Sequence, residues 1–129
     1  MPRVRRPLLA LIVLVVALGI GYGIDAAHTH HHTATIHAVP LSTLPVQAKQ
    51  TVTLIEHGGP FPYPRDDGVV FHNDEHLLPR EADGYYREYT VPTPGSPDRG
   101  ARRIVTGRSG QYYYTSDHYE HFVEVDVGK

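Results

Sequence analysis

Cysteine is absent from the 129 residues of this chain. A disulfide framework and a thiolate metal site are therefore both excluded, and the redox compartment cannot be inferred from the sequence. An internal repeat is also lacking. The length allows one domain at most. We expect its folded part to start near Ala38 and to be about 90 residues long, enough for one modest core.

The chain also lacks an excess of positive charge. From Leu41 to Lys129 it has nine Lys and Arg residues against thirteen Asp and Glu residues. A generally basic surface, which is typical of proteins that coat nucleic acids, is therefore excluded. Any binding of phosphate groups has to be local.

An uncharged hydrophobic segment, residues 8–24, follows three arginines at the N-terminus. Its length lies between that of a signal-peptide core and that of a spanning helix, so residues 1–24 are predicted to be either a cleaved signal peptide or a retained membrane anchor. Apolar residues surround the whole helix, which is not typical of a globular helix. The arginines favour a cytoplasmic N-terminus. We therefore expect a secreted or extracytoplasmic, membrane-anchored protein that contacts the membrane only through this segment.

A histidine-rich tract comes next, and residues 25–40 are predicted to be a weakly structured linker. Its histidines, between His28 and His37, could bind zinc, copper or nickel, although a tract without fixed geometry binds metal adventitiously. At acidic pH they could also gain charge and attract anionic lipid or RNA. We favour a solvated spacer. A membrane-tethered, metal-binding surface protein is an alternative function.

A helix is predicted at the start of residues 41–129. Pro45 suits a first helical turn, and Gly58-Gly59 ends the pattern. The apolar face is formed by Val46, Val52, Leu54 and Ile55. A proline-rich turn and then a long functional loop are expected over residues 60–83.

The C-terminal half is rich in β-branched and aromatic residues, which predicts strands. The predicted strands cover residues 85–91, 101–106, 111–115 and 122–127. One helix followed by short, closely connected strands indicates an α+β domain, with one N-terminal helix packed on a twisted antiparallel sheet. In this prediction the membrane-targeting helix of the leader precedes the domain.

Six short blocks between residues 41 and 127 occur together in one order. They are Leu41-Ser42-x-Leu44-Pro45, Gly59-Pro60-Phe61-Pro62-Tyr63, Asp67-Gly68-Val69-Val70-Phe71-x-Asn73-x-Glu75, Gly84-Tyr85-Tyr86-x-Glu88-Tyr89-Thr90-Val91, Arg99-Gly100-x-Arg102-Arg103-Ile104 and Tyr113-Tyr114-Thr115-x-Asp117-His118-Tyr119. This set resembles the guanyl-specific microbial ribonucleases, the family of barnase and its smaller secreted actinobacterial relatives. The resemblance implies the microbial ribonuclease fold and an endoribonuclease for single-stranded RNA that uses no metal and no cofactor.

Catalytic roles are implied for a carboxylate, an imidazole and two guanidiniums. Glu88 matches the general base that removes the ribose 2′-OH proton, and His118 matches the acid that protonates the leaving 5′-oxygen. Arg103, with Arg99 beside it, matches the phosphate-binding arginines. Adjacent strand residues point to opposite faces, so Arg102 and Arg103 cannot both point into the site, and the resemblance selects Arg103.

A guanine pocket is implied for the loop that starts at Phe71. Backbone N–H groups near Asn73 and Asp74 could donate to guanine O6, while the Glu75 carboxylate accepts from N1–H and N2–H, a pairing that excludes adenine. Phe71 and Tyr119 match positions that pack on or beside the base, with core packing as the alternative for Phe71. The implied binding residues are Phe71, His72, Asn73, Asp74, Glu75 and Tyr119.

Departures from the family pattern are also visible. His72 and Asp74 replace longer polar side chains, and a second negative charge near Glu75 is expected to weaken binding or to shift pKa values. The disulfide that joins the chain ends in secreted relatives is absent, which removes about 3 kcal/mol or more of stabilisation for a loop of that size.

The resemblance also implies a small acidic protein inhibitor of the barstar type, besides the RNA substrate, and we expect a monomer. A non-catalytic module that binds guanine nucleotides or RNA is a further alternative function.

Overall fold

The computed structural model describes residues 35–129. The predicted leader, residues 1–24, and most of the histidine-rich tract lie outside the described residues, so those interpretations stay predictions. Over residues 35–129 we find no helix that is long and apolar enough to cross a membrane.

The described chain forms one α-helix, a short 3-10 helix (Leu41–Thr43) and one six-stranded sheet, which confirms the α+β class. The strands are β1 (Ala38–Pro40), β2 (Val69–Phe71), β3 (Tyr86–Thr90), β4 (Arg103–Gly107), β5 (Tyr112–Thr115) and β6 (Val123–Asp126), arranged in the order β1-β6-β5-β4-β3-β2. The last four are the predicted strands, with ends that differ by one or two residues.

The sheet is mixed, so the prediction of a purely antiparallel sheet is wrong. Strand β1 runs parallel to β6, with Ala38 opposite Glu124, whereas the other neighbouring strands are antiparallel. Parallel strands need a long connection, and here the helix and strands β2 to β5 all lie between β1 and β6 along the chain. Three residues that include Pro40 carry little strand signal, because proline cannot donate to a ladder. The sheet therefore includes residues that we assigned to the linker.

A second short strand, β2, interrupts the segment predicted to be a continuous loop over residues 60–83, so that prediction is wrong at Val69–Phe71. Strand β2 pairs antiparallel with β3, with Phe71 opposite Tyr86 and Val69 opposite Glu88. This pairing places the start of the predicted guanine pocket directly beside the strand that carries Glu88.

The helix, α1 (Val46–His57), begins after Pro45 and ends at Gly58, as predicted. Gly58 has a φ of 77°, and the Gly59 N–H donates to the Leu54 carbonyl oxygen at 2.8 Å. Left-handed backbone of this kind is favourable for glycine and satisfies the last carbonyls of a helix.

The two faces of the sheet carry different residues, because side chains alternate along each strand. Helix α1 covers one face, where Ala48 and Val52 join Ile104 and Tyr114 in one buried cluster. On the other face a second cluster contains Leu78, Tyr86, Val105 and Tyr113. Glu88 lies two residues after Tyr86 on β3, and Arg103 lies two residues before Val105 on β4. Both side chains therefore lie on this helix-free face. The fold therefore reserves one side of the sheet for the helix and leaves the other open for a site.

Candidate active site

Two cavities on the helix-free face contain all the predicted site residues. The first, of about 280 Å³, lies between β2, the loop that follows it and the turn after β5. Its walls include Phe71, His72, Asn73, Asp74, Glu75, Glu88, His118 and Tyr119. The second, of about 520 Å³, is lined by Arg99, Arg103 and His118. His118 contributes to both walls, so the cavities adjoin at its imidazole.

Glu88 lies in the middle of β3, between Val69 of β2 and Val105 of β4. Its side chain is half-buried and lines the first cavity. No Lys, Arg or His of residues 35–129 forms an ion pair with it. The Glu88 carboxylate is therefore held by an inner strand of the sheet and is available to a ligand.

Arg103 is a buried cation. Its residue is 2% exposed, and its Nη1 donates to the carbonyl oxygens of Gly100 at 2.9 Å and Arg102 at 2.8 Å. The Nε atom is buried without a hydrogen-bond partner, and in the described part of the chain no carboxylate pairs with this guanidinium. A buried charge without a counter-charge is costly. Its position in a cavity wall therefore indicates an anion-binding site.

His118 and Tyr119 both have left-handed backbone, with φ values of 59° and 70°. Such values are uncommon outside glycine and are held here by hydrogen bonds on either side. The His118 N–H donates to the Ala101 carbonyl oxygen at 3.0 Å, and the Tyr119 N–H donates to Thr115 Oγ1 at 3.1 Å. The turn after β5 therefore directs the exposed imidazole to the boundary between the cavities.

The Tyr119 ring lines the first cavity and lies near Arg103, which lines the second. It stacks on Phe71 with centroids 5.2 Å apart, and the Arg103 guanidinium carbon lies 6.0 Å from its ring centroid. Burial, and then the negative charge of Glu88, raise the pKa of Tyr119 to about 12. Its hydroxyl is therefore protonated at neutral pH and can donate a hydrogen bond.

Asn73 shapes the loop with its side chain. Its Oδ1 accepts from the Leu78 N–H at 3.0 Å, and its Nδ2 donates to the carbonyl oxygens of Leu78 at 3.0 Å and Pro79 at 3.3 Å. The residue is 6% exposed and has a φ of 54°, a conformation that asparagine tolerates better than most residues. Because the amide is occupied in these bonds, only the backbone of Asn73 can contact a ligand.

The acidic residues of the loop face outward. Asp74 and Glu75 are both exposed, and neither is part of an ion pair within residues 35–129. His72 Nδ1 lies 2.9 Å from Asp83 Oδ1, a contact that joins the two ends of the loop. The Glu75 carboxylate is therefore free to accept hydrogen bonds from a ligand in the first cavity.

Arg99 is separated from the first cavity and belongs to the second. Its Nε and Nη2 donate to Thr90 Oγ1 at 3.0 and 2.9 Å, and its Nη1 lies 3.7 Å from Asp66 Oδ1. The sequence prediction did not include Thr90. The sequence signal that could have identified Thr90 is its position two residues after Glu88, because residues i and i+2 of a strand lie on the same face.

Known proteins with sequences similar to this chain are ribonucleases. A family model described as ribonuclease matches residues 27–126. Guanyl-specific ribonuclease St of Saccharopolyspora erythraea is 57% identical over 90 residues, which cover 70% of this chain and 88% of that protein. The sequence resemblance to this family is therefore confirmed.

Solved structures with a similar fold carry nucleotides. A structure of ribonuclease Sa2 in complexes with mononucleotides has a TM-score of 0.71 and 50% identity, and covers 73% of this chain and 97% of that chain. A crystal structure of ribonuclease Sa2 with guanosine-2′-cyclophosphate has a TM-score of 0.68 at the same identity, and covers 71% of this chain and 97% of that chain.

Asp117 organises the turn that carries His118. Its Oδ1 accepts from Thr115 Oγ1 at 3.0 Å and from the His121 N–H at 2.9 Å, and its Oδ2 lies 2.7 Å from His121 Nδ1. The His121 side chain and backbone hydrogen bonds lower the pKa of Asp117 to about 2, and the Asp117 carboxylate raises the pKa of His121. Glu120 lies close enough to share a metal with them, but the group is mostly exposed and internally bonded, and we assign no metal to it.

The Asp117–His121 pair predicts a defined pH dependence. Because the pKa of Asp117 is lowered on folding, its contribution to stability is lost as the pH falls toward 2. Because the pKa of His121 is raised, its contribution is lost as the pH rises through the raised value. The pair should therefore stabilise most between about pH 4 and about pH 6.5.

In Asp117→Asn we expect His121 to titrate at a lower pH than in the unchanged protein, because the carboxylate that favours the imidazolium is gone. Imidazole NMR titration measures both midpoints. Equal His121 midpoints in the two proteins would contradict the pairing.

Proposed function

The chain belongs to the guanyl-specific microbial ribonuclease family, and from this membership we propose that it is an exported, guanyl-preferring endoribonuclease that cleaves single-stranded RNA 3′ of guanosine. The observation that carries the proposal is the buried Arg103 guanidinium, which lacks a counter-charge in the described part of the chain and lies in a cavity wall with His118. Glu88 lies diagonally across from Arg103 on the neighbouring strand. A phosphodiester bound between these groups would supply the missing anion.

The first step is transphosphorylation within the RNA chain. Glu88 removes the 2′-OH proton of the guanosine ribose, and the 2′-oxygen attacks phosphorus. The bond from phosphorus to the 5′-oxygen of the next nucleotide breaks, and His118 gives that oxygen a proton. The products are a 2′,3′-cyclic phosphate and a free 5′-hydroxyl. Arg103 and Arg99 stabilise the charge that develops on the phosphoryl oxygens.

Hydrolysis of the cyclic phosphate reverses the two proton transfers. His118 removes a proton from water, whose oxygen attacks phosphorus, and Glu88 returns a proton to the 2′-oxygen that leaves. The base and the acid need opposite protonation states in each step, so the rate should depend on pH as a bell-shaped curve. The related structure with guanosine-2′-cyclophosphate supports a cyclic intermediate.

Guanine selection is assigned to the first cavity. The base would lie against Phe71 and Tyr119, whose stacked rings form an aromatic wall. The exposed Glu75 carboxylate would accept from guanine N1–H and N2–H, and backbone N–H groups of the Asn73–Asp74 turn would donate to O6. Asp74 adds a second carboxylate at this edge. We assign the contact of Asp74 with guanine to its backbone N–H. The preference for guanine is then kept, although Asp74 stands where relatives have a longer polar side chain.

Export and the partners rest on the sequence. Residues 1–24 combine three arginines with an uncharged apolar segment, which supports transfer of the domain out of the cytoplasm. A ribonuclease that stayed inside would degrade the RNA of the cell that makes it. This danger supports an intracellular acidic inhibitor of the barstar type, which would complement the guanidiniums of the second cavity. We further propose that the enzyme acts as a monomer.

Loss of either proton-transfer group should abolish most cleavage. In Glu88→Gln and in His118→Ala we expect kcat on guanylyl-3′,5′-cytidine to fall by about 100-fold or more. The matched control is Glu124→Gln, an exposed strand carboxylate of β6, which should cleave at the unchanged rate. Full activity in Glu88→Gln would refute the mechanism, and a wild-type protein that binds guanosine monophosphate without cleaving would favour the non-catalytic module.

Base specificity should depend on one carboxylate. Glu75→Gln loses the charged acceptor for N1–H and N2–H, so kcat/KM for the guanylyl dinucleotide should fall by roughly 10- to 100-fold while that for adenylyl-3′,5′-cytidine changes little. The control is Glu81→Gln, which is exposed and outside both cavities. Equal losses on the two dinucleotides would show that Glu75 does not read the base.

The leader should direct export. We expect the full chain, carrying Glu88→Gln to protect a bacterial host, to be recovered outside the cytoplasm, and a variant without residues 1–24 to remain inside. Mass spectrometry of the mature N-terminus then distinguishes a cleaved signal peptide from a retained anchor. Recovery of the full chain in the cytoplasm would contradict export.

A further inference from the structure

Arg99 depends on a single side chain for its hydrogen bonds. It lies between β3 and β4 in a segment without regular secondary structure. Its Nε and Nη2 both donate to Thr90 Oγ1, at 3.0 and 2.9 Å, and no other hydrogen bond of this guanidinium occurs among residues 35–129. The Thr90 hydroxyl oxygen therefore fixes the position of the guanidinium edge that carries Nε and Nη2.

The other contacts of Arg99 are weaker. Asp66 Oδ1 lies 3.7 Å from Nη1, beyond hydrogen-bond distance, and the Asp66 side chain is 46% exposed. Ion pairs with that exposure contribute little, because water screens them. The Arg99 guanidinium carbon lies 5.8 Å from the Tyr63 ring centroid, which supports the plane of the group without fixing its rotation.

Thr90 is itself held from several directions. It is 1% exposed. Its N–H donates to Asp67 Oδ1 at 2.7 Å, and Thr51 Oγ1 of helix α1 donates to its carbonyl oxygen at 3.3 Å. Asp67 Oδ2 in turn accepts from the Tyr63 N–H at 3.1 Å. The hydroxyl position is therefore determined jointly by the strand, the helix and the turn that precedes β2.

The same strand carries the proposed general base. Glu88 and Thr90 are two residues apart on β3 and share a face, and Thr90 is directly opposite Arg103 on β4. Fixing Arg99 to Thr90 therefore fixes it relative to both Glu88 and Arg103.

We propose that Thr90 is a positioning residue, whose hydroxyl orients the Arg99 guanidinium toward the scissile phosphate before RNA binds. This inference rests on the proposed function, and it assigns Thr90 no contact with substrate. A cation that is already oriented stabilises developing charge without reorganisation during the reaction. Losing that orientation should lower kcat more than it raises KM.

The test compares Thr90→Val, which keeps the shape and removes the hydroxyl, with Thr90→Ser, which keeps the hydroxyl. On guanylyl-3′,5′-cytidine we expect kcat of Thr90→Val to fall about tenfold with KM within about twofold, and Thr90→Ser to stay near the wild-type value. The matched control is Thr106→Val, since Thr106 pairs with Arg87 on the helix-covered face. It should leave kcat unchanged. Assays are run well below the unfolding midpoint of each variant.

A double-mutant cycle separates positioning from general damage. If Thr90 acts through Arg99, Thr90→Val should have no further effect in an Arg99→Ala background. Additive losses, or a Thr90→Ser variant as slow as Thr90→Val, would overturn the inference. An Arg99→Ala variant that cleaves at full rate would overturn the role of Arg99 and this inference together. The ribonuclease assignment is tested apart from both, by whether wild-type protein cleaves at all.

A measurement on the unchanged protein keeps the inference testable if Thr90→Val does not fold. The Arg99 Nε–H should exchange with solvent more slowly than that of Arg65, an exposed arginine, because Thr90 accepts from it. NMR of the arginine Nε–H groups measures both rates. Equally fast exchange would overturn the proposed orientation without any reference to activity.

Discussion

Arg103 is 2% exposed as a residue, and its guanidinium has no carboxylate partner among the described residues, so the fold has to hold this group in place. For Arg103 the backbone provides that support, through the carbonyl oxygens of Gly100 and Arg102 on one edge. Its strand β4 is central, with β3 and β5 paired on either side. The stability of the sheet therefore offsets the free energy of burying the charge. The positive charge of Arg103 can then neutralise the negative charge of a bound phosphate.

The division of the sheet into two faces offsets the unfavourable free energy of burying Arg103. Ile104 and Tyr114 pack against α1, and this cluster supplies the hydrophobic stabilisation that the other face cannot supply alone. On the helix-free face, aromatic packing continues around the polar groups, with Phe71, Tyr119 and Phe122 in mutual contact. The site is therefore a group of polar residues within a mainly aromatic surface, and the burial of Arg103 strengthens the electrostatic interactions of its guanidinium.

Hydrogen bonds between buried polar groups join segments that are distant in the chain. Asp67 and Thr90 are both buried, and their hydrogen bonds join the turn before β2, the strand β3 and, through Thr51, the helix. Asn73 acts similarly within its loop, where its amide replaces a ladder of backbone bonds. Buried polar groups of this kind are satisfied only in one arrangement, so they specify the loop geometry that hydrophobic packing leaves open.

The helix and four of the strands could be predicted from the sequence, because residues close together in the chain determine them. Helix α1 follows from Pro45, apolar spacing and Gly58, and four strands follow from β-branched and aromatic residues. Strands β1 and β2 were missed because three residues at a sheet edge owe their conformation to partners far along the chain. Ordered sequence blocks indicated Glu88, Arg103 and His118 as a set. Only the tertiary structure decided that His118 joins two cavities, that the Asn73 amide is occupied, and that Thr90 holds Arg99, because hydrogen bonds between distant segments depend on how the sheet, helix and turns pack together.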